Sequence, residues 1–170
     1  AVTRIILGIG GSATNDGGVG MALALGFRFL DAAGNEITDL PARLLEVRSI
    51  QPPPLMDVRI RAACDVENPL LGPSGATRVY GPQKGISPNE FERHESRLAH
   101  LVSLLDAADA ASQAGSGAAG GLGFGLRTFL GATLKPGFAI VSETLGLEAR
   151  IRAADIVITG EGRLDASSLQ

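Results

Sequence analysis

The run Ile5-Ile6-Leu7-Gly8-Ile9-Gly10-Gly11-Ser12-Ala13-Thr14-Asn15-Asp16-Gly17-Gly18 constrains this chain more than any other stretch. A β-branched, apolar segment of strand length empties into glycines and short polar side chains. It then resumes as Val19-Gly20-Met21-Ala22-Leu23-Ala24-Leu25-Gly26, a helical pattern closed by a C-terminal glycine. The order strand, polar loop, helix predicts an α/β domain. Such a loop gathers bare backbone N–H groups and the positive end of a helix dipole, which together favour an anion.

Gly17, Gly18 and Gly20 fall at the predicted start of the helix, where each costs roughly 1 kcal/mol relative to alanine. Close approach of backbone or ligand is the usual compensation. Ser12, Thr14 and Asn15 supply hydroxyl and amide groups beside Gly10 and Gly11, and Asp16 is an acid in a glycine-rich cup. Asp16 is suited to ligate magnesium or to take a proton from a hydroxyl. Capping of the helix by Asp16 or Thr14 is the plainer alternative. Gly8-Ile9-Gly10-Gly11-Ser12-Ala13 also fits a loose dinucleotide fingerprint. The segment after the helix argues against it: Phe27-Arg28-Phe29-Leu30 and Glu36-Ile37-Thr38 flank a short turn and predict a hairpin, not a second parallel strand.

Composition narrows the classes. At 170 residues the chain suits one domain, able to bury close to 70% of its unfolded surface. A net charge of −3 without a basic cluster speaks against nucleic acid, and 4% aromatic residues with no tryptophan speak against stacking platforms. No apolar run approaches the length of a membrane span and no signal peptide is evident, so no membrane partner is expected. The single cysteine, Cys64, reads as a structural thiol, and a cytoplasmic location is the simplest expectation. The chain opens almost inside a strand and stops at Gln170 without a breaker, as an excised piece of a longer protein would.

Residues 41–50 predict a short helix ended by Pro52-Pro53-Pro54. Val58-Arg59-Ile60-Arg61-Ala62-Ala63-Cys64 alternates as a strand, and Asp65-Val66-Glu67-Asn68-Pro69 lies at its end, where α/β sheets hold ligands. Asp65 and Asn68 are therefore candidates, although an Asx turn before Pro69 explains Asn68 as well. Gly72-Pro73-Ser74-Gly75 and Gly81-Pro82-Gln83-Lys84-Gly85 are loop signals around the apolar step Val79-Tyr80. Lys84, embedded in such a loop, can meet a phosphate or carboxylate; a solvated lysine is the plain alternative.

Ser87-Pro88-Asn89-Glu90 is a capping box that predicts a helix running to about Ala110. Its charges Glu92, Arg93, Glu95 and Arg97 are expected on a solvated face, and His94 and His100, six residues apart, on separate solvated faces. The glycine-rich residues 115–125 fit either a phosphate cradle or tight helix packing. Residues 136–145 and 147–153 predict two helical pieces joined at Gly146. Ala154-Asp155-Ile156-Val157-Ile158-Thr159 then reads as a second buried strand that delivers Glu161, Arg163 and Asp165 onto a loop. Two carboxylates and a guanidinium so close fit a metal or anion, or pair with one another.

Taken together, the residue 8–18 motif, Ala63-Cys64-Asp65-Val66-Glu67-Asn68-Pro69-Leu70 with Gly81-Pro82-Gln83-Lys84-Gly85, Gly120-Gly121-Leu122-Gly123 and Ile158-Thr159-Gly160-Glu161-Gly162-Arg163-Leu164-Asp165 resemble the glycerate kinases of the bacterial type I family. The resemblance spans essentially the whole chain. It implies phosphorylation of D-glycerate by ATP with Mg2+, on the 2-hydroxyl, in glycerate or glyoxylate metabolism. It also implies an α/β fold, a mixed sheet flanked by helices, as one domain of a two-domain kinase. Residues 1–170 then stand for the inserted middle domain, which packs against a second domain whose N-terminal Asp-Ser-Phe-Lys segment and later Gly-Lys step are absent here. On this footing Asp16, Glu161 and Asp165 are the expected catalytic acids, Asp16 doubling as metal ligand. Gly10, Gly11, Ser12, Thr14, Asn15, Asp65, Asn68, Lys84 and Arg163 are expected to hold substrate or phosphates. Phosphoryl transfer asks for positioning and charge neutralisation above all. A non-catalytic domain binding an anion or nucleotide, and a purely structural domain, are the competing expectations.

Overall fold

Strand β1 (Arg4–Gly8) is the apolar run after Thr3, and helix α1 (Val19–Ala24) comes after the polar loop. The computed structural model describes residues 2–54 and 58–160. Further along come β2 (Arg28–Leu30), β3 (Ser49–Gln51), β4 (Arg59–Ala63), α2 (Ala76–Tyr80), α3 (Phe91–Leu104), α4 (Ala108–Ser112), α5 (Ala118–Leu130), β5 (Thr133–Lys135), α6 (Gly137–Leu145) and α7 (Leu147–Ala153). The chain divides into two units, Ala1–Gly137 and Phe138–Gln170.

In the first unit β1, β4 and β5 form a three-stranded parallel sheet with β4 in the middle. The register sets Gly8 beside Ala63 and Ala63 beside Lys135, so the three strands end together. One face of this sheet lies on α5: Ala62, Leu126 and Ala132 are buried there, with Leu7, Ile60, Leu122 and Leu134 packed around them. A fully buried leucine such as Leu126 contributes about 2 kcal/mol of transfer free energy. The larger core joins α1, α3 and α5 to the β2–β3 ribbon through Val19, Phe29, Leu44, Leu98, Leu101 and Phe124. Phe27 and Phe29 meet Phe129 edge to face, with ring centroids 5.0 and 6.3 Å away.

Several sequence expectations are corrected. The hairpin shrinks to one bridge between Leu30 and Glu36, and β2 pairs instead with β3, antiparallel. Asp31 explains the turn: its carboxylate accepts the Ala33 and Asn35 N–H groups at 2.8 and 2.9 Å. The helix expected over residues 41–50 is a 3-10 turn at Leu44–Glu46, after which Ser49 and Ile50 already belong to β3. Val79 and Tyr80 close α2 and are not an extended step.

The capping box forms as expected. The helix it opens stops at Leu104, and α4 starts anew after Asp106 takes φ 48°. The solvated face is also corrected: Arg97 is 8% exposed and donates to the Ala42 carbonyl at 2.9 Å, while Glu95 accepts the Gly72 N–H at 3.1 Å. His100 lies 2.9 Å from the Val47 carbonyl, and Nδ1 of His94 is buried. Neither histidine is a solvated bystander.

In the second unit α6 and α7 meet at Gly146, whose φ of 62° only glycine takes without cost. The strand expected over residues 154–159 does not form. A strand needs a neighbour for its N–H and C=O groups, and residues 154–160 have no ladder partner among the described residues; Ile156 and Ile158 are 80% and 93% exposed. No helix among the described residues is long and apolar enough to cross a membrane.

Candidate active site

Parallel strands that end in register leave their C-terminal loops side by side, the position where open α/β sheets take ligands. The loop after β1 and the segment after β4 therefore converge. Between them lies a cavity of about 130 Å3 whose lining includes Gly10, Gly11, Ser12, Tyr80, Gln83 and Lys84. That volume equals about four waters of liquid, enough for a small organic acid.

Lys84 ties the cavity together. Gly81 and Gly85 bound the 3-10 turn Pro82–Lys84, and Gly85 leaves it at φ 83°, in the left-handed region. Lys84 Nζ donates to the Ser12 hydroxyl at 2.9 Å and to the Thr14 carbonyl at 2.7 Å. Among the described residues it has no ion-pair partner. Burial pushes its pKa below the usual lysine value, and the Asp16 charge opposes that shift.

The Thr14–Asp16 stretch is held from behind by the start of α5. Ala119, Gly120 and Gly121 are all left-handed, and the Gly120 carbonyl accepts the N–H groups of Asp16 and Gly17 at 3.1 Å each. A Cβ on Gly120 would stand 1.8 Å from the Thr14 carbonyl oxygen. The glycine-rich segment is thus a packing device that fixes the loop. Close packing, one of the two expectations for it, is borne out.

Asp16 caps α1. Its two oxygens accept the Gly18 and Gly20 N–H groups at 3.0 Å each. Two of the N–H groups expected to draw an anion at this helix start are therefore already bonded to a carboxylate of the chain itself. Each Asp16 oxygen keeps a second lone pair. Among the described residues no three His, Cys, Asp or Glu side chains converge into a metal cage. Magnesium asks for less, one or two carboxylates plus substrate phosphates, and Asp16 is a carboxylate that could supply one of them.

The remaining candidates separate by distance from the cavity. Asn15 points its amide at Thr77 Oγ1, 3.0 Å away, leaving Asn15 Oδ1 buried without a partner. Asn68 reaches the cavity through Tyr80, whose hydroxyl donates to Asn68 Oδ1 at 2.5 Å. Asp65 turns elsewhere and accepts the Gly137 N–H at 2.7 Å. Glu161, Arg163 and Asp165 lie outside the described residues. Tyr80 and Gln83 were missed by the sequence reading. Tyr80 is the only tyrosine of the chain, and its place in an apolar step hid its hydroxyl.

With this geometry in hand, similarity to known proteins is decisive about the family. The model of the glycerate kinase family matches residues 1–170. The glycerate 2-kinase of Escherichia coli K12 is 48% identical over 174 residues, covering 98% of this chain and 46% of that protein. The glycerate kinase of Bacillus subtilis 168 is 45% identical, covering 98% and 45%. A crystal structure from Salmonella typhimurium LT2, provisionally described as glycerate kinase 2, superimposes with a TM-score of 0.87 at 46% identity, over 99% of this chain and 47% of that one. The chain thus spans about half the length of the relatives it matches. A fold, a lysine-bridged loop and a match along every residue lead to one conclusion: the chain belongs to the glycerate kinase family.

Proposed function

We propose that this chain is the middle domain of an ATP-dependent kinase that phosphorylates D-glycerate on its 2-hydroxyl, giving 2-phosphoglycerate. It supplies one wall of a cleft that a second domain of the same polypeptide completes, and it works in the cytoplasm in glycerate or glyoxylate metabolism. The observation that carries the reading is Lys84, a partly buried ammonium at the cavity whose hydrogen bonds go to two neutral oxygens and which, among the described residues, has no ion-pair partner, Asp16 acting on it only as a nearby charge. A cation so held is poised for an anionic ligand. The carboxylate of a hydroxy acid and the transferring phosphate both answer to that description.

In the reaction the substrate hydroxyl oxygen bonds to the γ-phosphorus of ATP while the bond to the bridging oxygen breaks. ADP leaves with that electron pair, and the hydroxyl proton passes to a carboxylate. Backbone N–H groups of Gly10, Gly11 and Ser12, with Lys84 and Thr14, hold the anionic groups in line. Asp16 is the acid we assign to the proton or to Mg2+, with Glu161 and Asp165 behind it and Arg163 as a further phosphate cation. Bound magnesium would neutralise charge on the phosphates. Asn15, through Thr77, keeps the loop in place.

The deciding experiment is a coupled ADP-release assay on the full-length protein with D-glycerate, ATP and magnesium, with the product identified by NMR. Asp16→Asn keeps one acceptor oxygen for the cap, so turnover should fall at least about a hundredfold while the fold survives. A folded, nucleotide-binding protein that leaves D-glycerate untouched would overturn the substrate assignment in favour of a binding domain.

A further inference from the structure

Two side chains that line the cavity, Lys84 and Tyr80, differ in hydrogen-bonding character. The Lys84 ammonium carries three protons. Two are engaged, by Ser12 Oγ and the Thr14 carbonyl, and one remains for a ligand. This group is cationic and can only donate.

For Tyr80, a chain of hydrogen bonds settles which way its hydroxyl proton points. The Asn68 amide nitrogen donates to the Ser74 carbonyl at 2.8 Å. That contact turns the amide oxygen of Asn68 towards Tyr80, which lies 2.5 Å away. An amide oxygen only accepts, so the phenol donates. Its single proton is spent there. Burial, with Cys64 adding to it, also raises the Tyr80 pKa above the usual tyrosine value, which keeps that proton in place at working pH. What Tyr80 offers the cavity is therefore a pair of oxygen lone pairs and no hydrogen.

A cavity lined by both a cationic donor and a neutral acceptor complements a molecule with an anion and a hydroxyl. We propose that Tyr80 is a specificity residue: its Oη accepts the hydrogen of the hydroxyl that is not phosphorylated, while Lys84 holds the anionic end of the same small hydroxy acid. Tyr80 thereby distinguishes a dihydroxy acid from its deoxy analogue. The inference rests on the hydroxy-acid reading of this site and names the group that recognises the second hydroxyl. Loss of the acceptor leaves a buried ligand hydroxyl unpaired, which costs enough to weaken binding roughly tenfold to a hundredfold.

The test compares D-glycerate with D-lactate, which lacks only the 3-hydroxyl. Binding of each acid to the full-length protein is measured by calorimetry, and turnover is measured in parallel. In Tyr80→Phe, D-glycerate should bind at least about tenfold more weakly while D-lactate binds within about twofold of wild type. Should Tyr80→Phe fail to fold, the double variant Tyr80→Phe with Asn68→Leu reads the same discrimination, because it also removes the amide oxygen that the lost phenol would leave unpaired. Equal weakening of both acids would mean a structural role and overturn the inference. So would unchanged binding of both, or a wild type that binds neither. If the wild type binds D-glycerate selectively through Tyr80 and yet transfers no phosphate, the kinase reading falls and the assignment of Tyr80 stands.

Discussion

The ammonium of Lys84 sits 2.9 Å from the hydroxyl of Ser12, although 72 residues separate the two in sequence. This contact joins the loop after the first strand to the turn after the second helix, and the candidate site exists because of it. Lys84→Met removes both the charge and the tie. The expected result is a loss of roughly thirtyfold or more in kcat/KM for the acid substrate, the usual effect of deleting one partner of a desolvated charge contact. Hydrogen exchange at residues 10–14 should quicken in the same variant.

Because burial holds the Lys84 pKa below the ordinary 10.5, the ammonium loses its proton at a lower pH than a surface lysine. Acid binding should therefore weaken as pH rises through that depressed value, at lower pH than an ordinary lysine would allow. Titrating substrate affinity from neutral to alkaline pH checks this. The stability effect has the opposite sign, since the folded state binds fewer protons there, and unfolding should become harder across the same window.

Gly120 and Gly131 form an internal comparison. Both are left-handed, at φ 69° and 62°. A Cβ at Gly120 meets the Thr14 carbonyl oxygen at 1.8 Å, whereas one at Gly131 meets nothing within 4 Å. Gly131→Ala should cost only the conformational term, about 1 kcal/mol. Gly120→Ala adds an overlap with backbone and should cost roughly 3 kcal/mol or more. Urea unfolding separates them. Only Gly120→Ala should also weaken acid binding, since the carbonyl it displaces is an acceptor of Lys84.

His94 makes the first unit sensitive to mild acid. Its Nδ1 is buried without a partner, and burial, with Arg97 next in size, lowers its pKa while Glu90 works the other way. The unfolded chain takes up the proton first as pH falls below 6.5, so stability present above 6.5 is lost on the way down to the folded pKa. His94→Gln should flatten the dependence between pH 7.5 and 5.5, read as the change in urea midpoint.

What the sequence determined by itself was local. The β-branched run of β1, the glycine that stops the next helix, the capping box at Ser87 and the joint at Gly146 all appear in the structure, because period, cap and turn chemistry act within a few residues. The order of the motifs along the chain likewise carried the family. Tertiary structure decided which segments found partners. The residues taken for a returning hairpin strand at Glu36 lost to β3, because pairing depends on which edge the core presents to β2. Residues 154–159 have the composition of a buried strand and still form none, since a strand cannot satisfy its own backbone. Arg97 looked solvated by its helical phase until the Ala42 carbonyl came within reach. The site divides in the same way: glycines and short polar residues marked the loop, while the approach of Lys84 to Ser12 and the fixed proton of Tyr80 arise from contacts between distant segments that no local pattern encodes.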